Sequence, residues 1–270
     1  MPSSRYYRAK TFFRKEKIGK IKSFIFWFFF AAGFLTILWS FFLSPFFKIT
    51  EIKIPHNDIV ANGDVKQLIA NNRPFNLGQN LLMLNTGALR ANLAANFSEI
   101  TDIVVKKELF HSLIINFNKR ISLGLWCHPA GDQPQSGKCY YFDKEGIIFK
   151  EAPQTEGALI LKITNFGQKE AQLGKQVLNR DLLNFIVGFN EKVEKIEKLK
   201  IKEFKIQPAP NVDLEAVTGA GWSIYLDSAQ NPALAAANLL TVLEEALKNK
   251  INNLSYIDLR ISSRIFYKLR

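Results

Sequence analysis

Residues 23–43, SFIFWFFFAAGFLTILWSFFL, run for 21 residues without a charge, and their reading decides what the rest of the chain is. As a helix the stretch is about 31 Å long, matching a hydrocarbon core of roughly 30 Å. Trp27 and Trp39 fall near its two ends, where indole rings settle at the interface. A buried helix of a soluble domain would show a polar face, and eight Phe with no charge leave none. A cleavable leader has a shorter apolar core followed by a small-x-small site. Here the segment runs instead into Phe41-Phe42-Leu43-Ser44-Pro45-Phe46-Phe47, so it reads as an uncleaved single anchor.

Residues 1–22 ahead of it hold eight bases and one acid, +7 of the chain's formal +12. Positive charge stays on the cytoplasmic side, so 1–22 is expected to be a cytoplasmic tail and 44–270 to lie outside the membrane. The tail is expected to touch anionic lipid, each base contributing about 1 kcal/mol. Tyr6, Tyr7, Phe12 and Phe13 interleave with the bases and suit the interface. Nucleic acid is the weaker reading of a basic segment beside a membrane.

The remainder is long enough and apolar enough, 47% over the chain, to bury a sizeable core, and 13% aromatic residues exclude disorder. Residues 47–120 read as one α+β unit. Lys48–Pro55 alternates, with Ile52 and Ile54 on one face. Val65, Leu68 and Ile69 fit a helix from about Asp64, and a loop follows at NRPFNLGQN. Thr86 suits the cap of a second helix bearing Leu89, Leu93 and Phe97. Asp102–Leu109 and Ser112–Arg120 read as strands around a turn at Phe110-His111, giving the order β-α-α-β-β.

Residues 121–270 read as a mostly antiparallel β domain with two helices, Asp181 to about Leu199 and Pro232 to about Lys248. Asp143-Lys144-Glu145-Gly146 suits a type I turn. Val212–Val217 and Trp222–Leu226 flank Thr218-Gly219-Ala220-Gly221 as a hairpin.

Groups able to carry catalysis are sparse. Gly219-Ala220-Gly221 lacks the following helix of a phosphate cradle. Asp213 and Glu215 read as solvated carboxylates of one strand face. His56, His111 and His128 fall in predicted turns without a recognisable nucleophile beside them. Two cysteines exclude a cysteine-rich metal protein or disulfide-dense scaffold. Cys127 and Cys139 end and begin two predicted antiparallel strands. They read first as a disulfide, second as free thiols, and last as a metal site with His128, incomplete for structural zinc.

The β-α-α-β-β unit behind one anchor resembles a POTRA domain, and Asn80-Leu81-Leu82-Met83-Leu84-Asn85 is similar to that domain's N-L-L-x-[VL]-[ND] stretch. Tyr140–Phe149 (YYFDKEGIIF) is similar to the D-x-x-G hairpin of the FtsQ/DivIB family of bacterial cell-division proteins. Tyr256-Ile257-Asp258-Leu259-Arg260 is similar to that family's near-terminal Y-[IV]-D-L-R. In their order, and behind the basic tail and anchor, these stretches make the whole chain resemble the family. Two positions depart from it. Lys119-Arg120-Ile121-Ser122 stands where the family often has an acidic residue, Arg and Pro, and Ile261 stands where it often has Tyr.

The resemblance implies a non-enzymatic, single-pass scaffold at the division septum, without cofactor. Its implied partners are the coiled-coil proteins FtsB/DivIC and FtsL, and it would link assembly to septal wall synthesis. A last strand with a free edge invites another chain. The resemblance puts the FtsB/DivIC contact there, on Arg260, Ile261, Ser263, Ile265 and Tyr267. The bland reading is a core strand with Asp258 and Arg260 paired within the chain. Two other classes compete. A POTRA-containing secretion or envelope-assembly factor usually precedes a β-barrel, and no run of membrane strands follows here. A membrane-anchored envelope hydrolase would need a nucleophile–base or metal group.

Overall fold

The computed structural model describes residues 5–42, 45–55, 59–71, 79–108, 111–130, 133–153, 160–167, 171–196, 199–208, 214–248, 250–261 and 263–270, with side chains from residue 22 onward. His56, Phe110, Asp213 and Ser262, and most of the loop from Asn72 to Asn80, lie outside these residues. So do the side chains of residues 1–21 and those of Phe41, Phe42, Phe46, Ala130 and residues 133–136.

Helix α1, Arg5–Phe42, is continuous through the apolar stretch. Its window Lys22–Ser40 has mean hydropathy 1.8, is long and apolar enough to cross a membrane, and has none of its length buried in the protein. Beyond it the chain divides into two compact units, residues 1–93 with 103–116 and residues 94–102 with 117–270.

In the first unit β1 (Glu51–Lys53) precedes α2 (Asn62–Asn71) and α3 (Thr86–Asn96), and β2 (Ile100–Glu108) and β3 (Ser112–Lys119) follow. The element order is β-α-α-β-β, and the sheet order is β1-β3-β2 with β1 parallel to β3. Val65 and Ile69 of α2, Leu89 and Leu93 of α3, and Ile52, Leu113 and Ile115 of the strands are all buried. Asn85, not Thr86, supplies the cap of α3, its Oδ1 accepting from Ala88 N at 3.0 Å. The helix thus begins at Thr86, one residue earlier than a Thr86 cap would allow.

The second unit is built on nine strands ordered β12-β11-β10-β9-β8-β7-β4-β5-β6. They are β4 (Gly124–Ala130), β5 (Gln133–Phe142), β6 (Ile148–Ala152), β7 (Leu161–Asn165), β8 (Ile201–Ile206), β9 (Leu214–Thr218), β10 (Ser223–Leu226), β11 (Leu254–Asp258) and β12 (Phe266–Leu269). Five of the eight pairings are antiparallel. The parallel pairs are β4–β7, β7–β8 and β10–β11. Parallel neighbours need a crossover, and α4 (Arg180–Val193) and α5 (Pro232–Glu245) supply it for β7–β8 and β10–β11. Both crossovers step in one direction along the sheet, so the right-handed rule places both helices on the same face.

That face holds the core: Trp126, Phe142, Phe185, Phe189, Phe204 and Trp222 are buried together. Asn179 caps α4 by accepting from Leu182 N at 2.7 Å, and Leu183, Ile186, Phe189 and Val193 form its buried stripe. The helix stops at Val193, short of the expected Leu199. The stripe ends there, and Leu199 and Ile201 are buried at the head of β8 instead. The opposite sheet face is mixed: Leu125, Cys127, Cys139 and Ala152 form a small buried cluster, and elsewhere Glu203 lies 3.7 Å from Lys162 and 3.6 Å from Lys205.

Candidate docking edge

A sheet of nine strands has two edges, and they are treated differently. The first residues of β6 are covered: Ile148 N donates to Lys175 O at 3.1 Å and Gly174 N donates to Ile148 O at 2.7 Å. The Ser98 hydroxyl donates to Phe149 O at 2.7 Å. Along β12 no described segment pairs with the outer side. An uncovered edge strand presents N–H and C=O groups to any extended chain.

The residues read from sequence gather around β12 unequally. β12 pairs antiparallel with β11, placing Tyr267 opposite Ile257 and Phe266 opposite Asp258. Ile257 and Leu259 are buried, and Ile265 and Leu269 pack against the same core. Ile265 is therefore spent on the protein's own packing. Ile261, Phe266 and Tyr267 remain 53%, 50% and 44% exposed. Ser263 lies exposed in the turn, where Arg264 N donates to Ile261 O at 3.1 Å, rather than on the strand.

Arg260 is held from within. Its Nη2 donates to Asp258 Oδ2 at 2.6 Å, and its Nε and backbone N donate to Oδ1 at 2.9 and 3.0 Å. Its guanidinium also sits 5.4 Å from the centroid of the Tyr225 ring, which meets Tyr256 edge-on at 5.5 Å. The hydrogen bond from Arg260 is the main cause holding the Asp258 carboxyl below the usual carboxylate range. Burial, then Glu215, raises the Tyr225 phenol.

Sequence reasoning missed two contributors. Gln230, in the loop before α5, donates through Nε2 to Leu259 O at 3.2 Å and Arg260 O at 2.7 Å, fixing where β11 ends. No local pattern announces a contact spanning thirty residues. Phe266 was hidden by the run Ile265-Phe266-Tyr267, three apolar residues in which a period of two leaves the outward one undetermined.

Cys127 and Cys139 stand directly opposite each other on β4 and β5, with Cα atoms 4.1 Å apart and their sulfurs bonded at 2.05 Å. They share a small cluster with Leu125 and Ala152. His128 lies on β4 rather than in a turn, stacked on Trp126 with ring centroids 6.1 Å apart. Among the described residues no three His, Cys, Asp or Glu side chains gather to hold a metal.

Glu215 accepts from the Ser223 hydroxyl at 2.5 Å, and the His111 ring lies 3.3 Å from Lys48 O. Gly219–Gly221 closes the β9–β10 hairpin, with Gly221 N donating to Thr218 O at 3.0 Å. A cleft of about 540 Å³ in the second unit is flanked by paired groups, Arg120 with Asp143 and Asn118 with Asp102.

A comparison with curated proteins finds no match to the chain. Residues 126–260, half of the chain, match the family described as cell division protein FtsQ/DivIB, C-terminal.

Proposed function

The chain belongs to the FtsQ/DivIB family of cell-division proteins, and from that premise we propose that it is a non-enzymatic, membrane-anchored scaffold of the division machinery. Its partners are division proteins, and it docks them by strand addition along β12. The observation that carries this reading is the contrast between the two sheet edges, β6 covered at Ile148 and Phe149 and β12 without a described partner on its outer side, beside exposed Ile261, Phe266 and Tyr267. Strand addition satisfies the partner's backbone, and alternate side chains supply specificity.

The same proposal has α1 spanning the inner membrane, residues 1–22 in the cytoplasm against anionic lipid, and the remainder outside at the septum. It has residues 47–120 as a POTRA domain, supported by the β-α-α-β-β order, and 121–270 as the docking domain. It has the Cys127–Cys139 bridge formed in that oxidising compartment. FtsB/DivIC and FtsL are the partners, and FtsB/DivIC takes the edge.

A fluorescent full-length copy imaged in dividing cells tests the role. A midcell band that depends on division is expected. A uniform rim in constricting cells contradicts it.

A further inference from the structure

Helix α5 turns a face without charge toward solvent. No Asp, Glu, Lys or Arg stands between Ser228 and Leu243, whereas the outer face of a surface helix normally carries them. Ala235, Ala236, Leu239 and Leu243 turn into the core. The opposite face is centred on Ala237, with Leu234 and Leu240 about 60° to either side, and these two leucines are 50% and 37% exposed. Carboxylates come only at the far end. Glu244 and Glu245 stand in the last turn with no base beside them, and they make no ion pair among the described residues. A helix disfavours acids there, because its C-terminus carries partial negative charge, and favours them in its first turn, where α5 has none.

We propose that the outer face of α5 packs antiparallel on the same face of a second copy of this chain, about a two-fold axis at Ala237. Charge and shape select that occupant together. In this register Leu234 meets the partner's Leu240 and Ala233 meets the partner's Thr241, and each contact occurs twice, as an isologous interface requires. The same register lays Glu244 and Glu245 beside the partner's helix N-terminus, so each copy supplies the acids that the other's first turn lacks. One helix pair buries less than the roughly 1,200 Å² at which stable interfaces begin. The contact is therefore weak between free copies, and it strengthens when α1 holds both on one membrane and raises their effective concentration. It does not depend on the edge reading above.

The test uses the full-length chain reconstituted in lipid vesicles, where flotation first shows that α1 anchors it, so a failed anchor is told apart from a failed contact. The sequence has two cysteines, Cys127 and Cys139, and they are bridged to each other, so a single introduced cysteine is the one free thiol. Under copper–phenanthroline oxidation Ala237→Cys should give a disulfide-linked dimer, because the position lies at the two-fold axis. Ala233→Cys alone and Thr241→Cys alone should give none, since each lies about 12 Å along the helix from its own counterpart, beyond disulfide reach. Vesicles holding both variants should give the mixed dimer.

Leu234→Glu should lose the Ala237→Cys adduct. Adding Leu240→Lys to the same chain should restore it, because the introduced carboxylate then faces the partner copy's introduced ammonium, and a folding defect would not be repaired this way. No adduct from Ala237→Cys overturns the proposal, and so does equal linking by Ala233→Cys, which marks random encounter or parallel packing. An adduct that survives Leu234→Glu, or one that Leu240→Lys fails to restore, also overturns it. In dividing cells, Ala237→Cys joined to a different protein and not to its own copy would show another occupant and overturn it as well.

Discussion

Asp258 does two things for one short segment: it accepts the backbone N–H of Arg260 and clamps its guanidinium. Because its carboxyl is held below the usual range in the fold, its contribution is complete above the unfolded value, near pH 4, and fades as pH falls through the lowered one. The chain should therefore keep its melting temperature from pH 8 down to about pH 5 as far as this group is concerned, and lose an increment below about pH 4. In Asp258→Asn that acid-dependent increment should be missing. An unchanged acid limb in the variant would refute the clamp.

Arg120 and Asp143 form a second ion pair, with both side chains largely buried. Asp143 also accepts from Glu145 N at 2.9 Å and Ile147 N at 3.0 Å, and Gly146 completes its turn at φ +74. Asp143→Ala leaves a buried guanidinium unpaired and should cost about 3 kcal/mol, read as a drop in the denaturation midpoint. The turn around Asp143 was legible because Asp and Gly stood at the first and fourth places. Its partner Arg120 was not, because the pairing is made by tertiary packing.

At the scale of elements, periodicity located most of the strands and helices, and what it missed has physical causes. α4 ends where its apolar stripe ends, although the charged run after it has good helix formers. The cap of α3 moved by one residue because two adjacent side chains could each accept a bond. The parallel pairings of β7–β8 and β10–β11 leave no local trace in the chain.

Cys127 and Cys139, 12 residues apart in sequence, cross-link β4 to β5. Their bridge should stabilise the second unit by about 3 kcal/mol in the chain-entropy model. Alkylation without reductant, followed by intact mass, should find no modified thiol in protein from its own compartment, and two alkylated cysteines would refute the bridge. Ile261→Asp and Phe266→Asp alter exposed side chains at the open edge and should leave folding within about 0.5 kcal/mol. Both should abolish capture of the docked division protein. Normal capture by both variants would move the docking surface elsewhere.

For the whole molecule, the long apolar helix was the most legible part, because 21 uncharged residues leave few breaks in it. The proposed orientation follows from the charge ahead of it: protease added to spheroplasts should digest residues 44–270, spare the basic tail and leave the anchor attached. A protected second unit would invert the topology. The open edge was less legible, since only the sheet order shows which strand is last in space as well as in sequence. Site-specific photo-crosslinking in dividing cells decides whether β12 is the docking edge, with a photoreactive residue at Tyr267 on β12 and, as a control, at Glu151 on β6, the other edge of the sheet. Position 267 should give a single adduct to a small single-pass division protein, and position 151 none. No adduct from 267, or the same adduct from both positions, would contradict that reading.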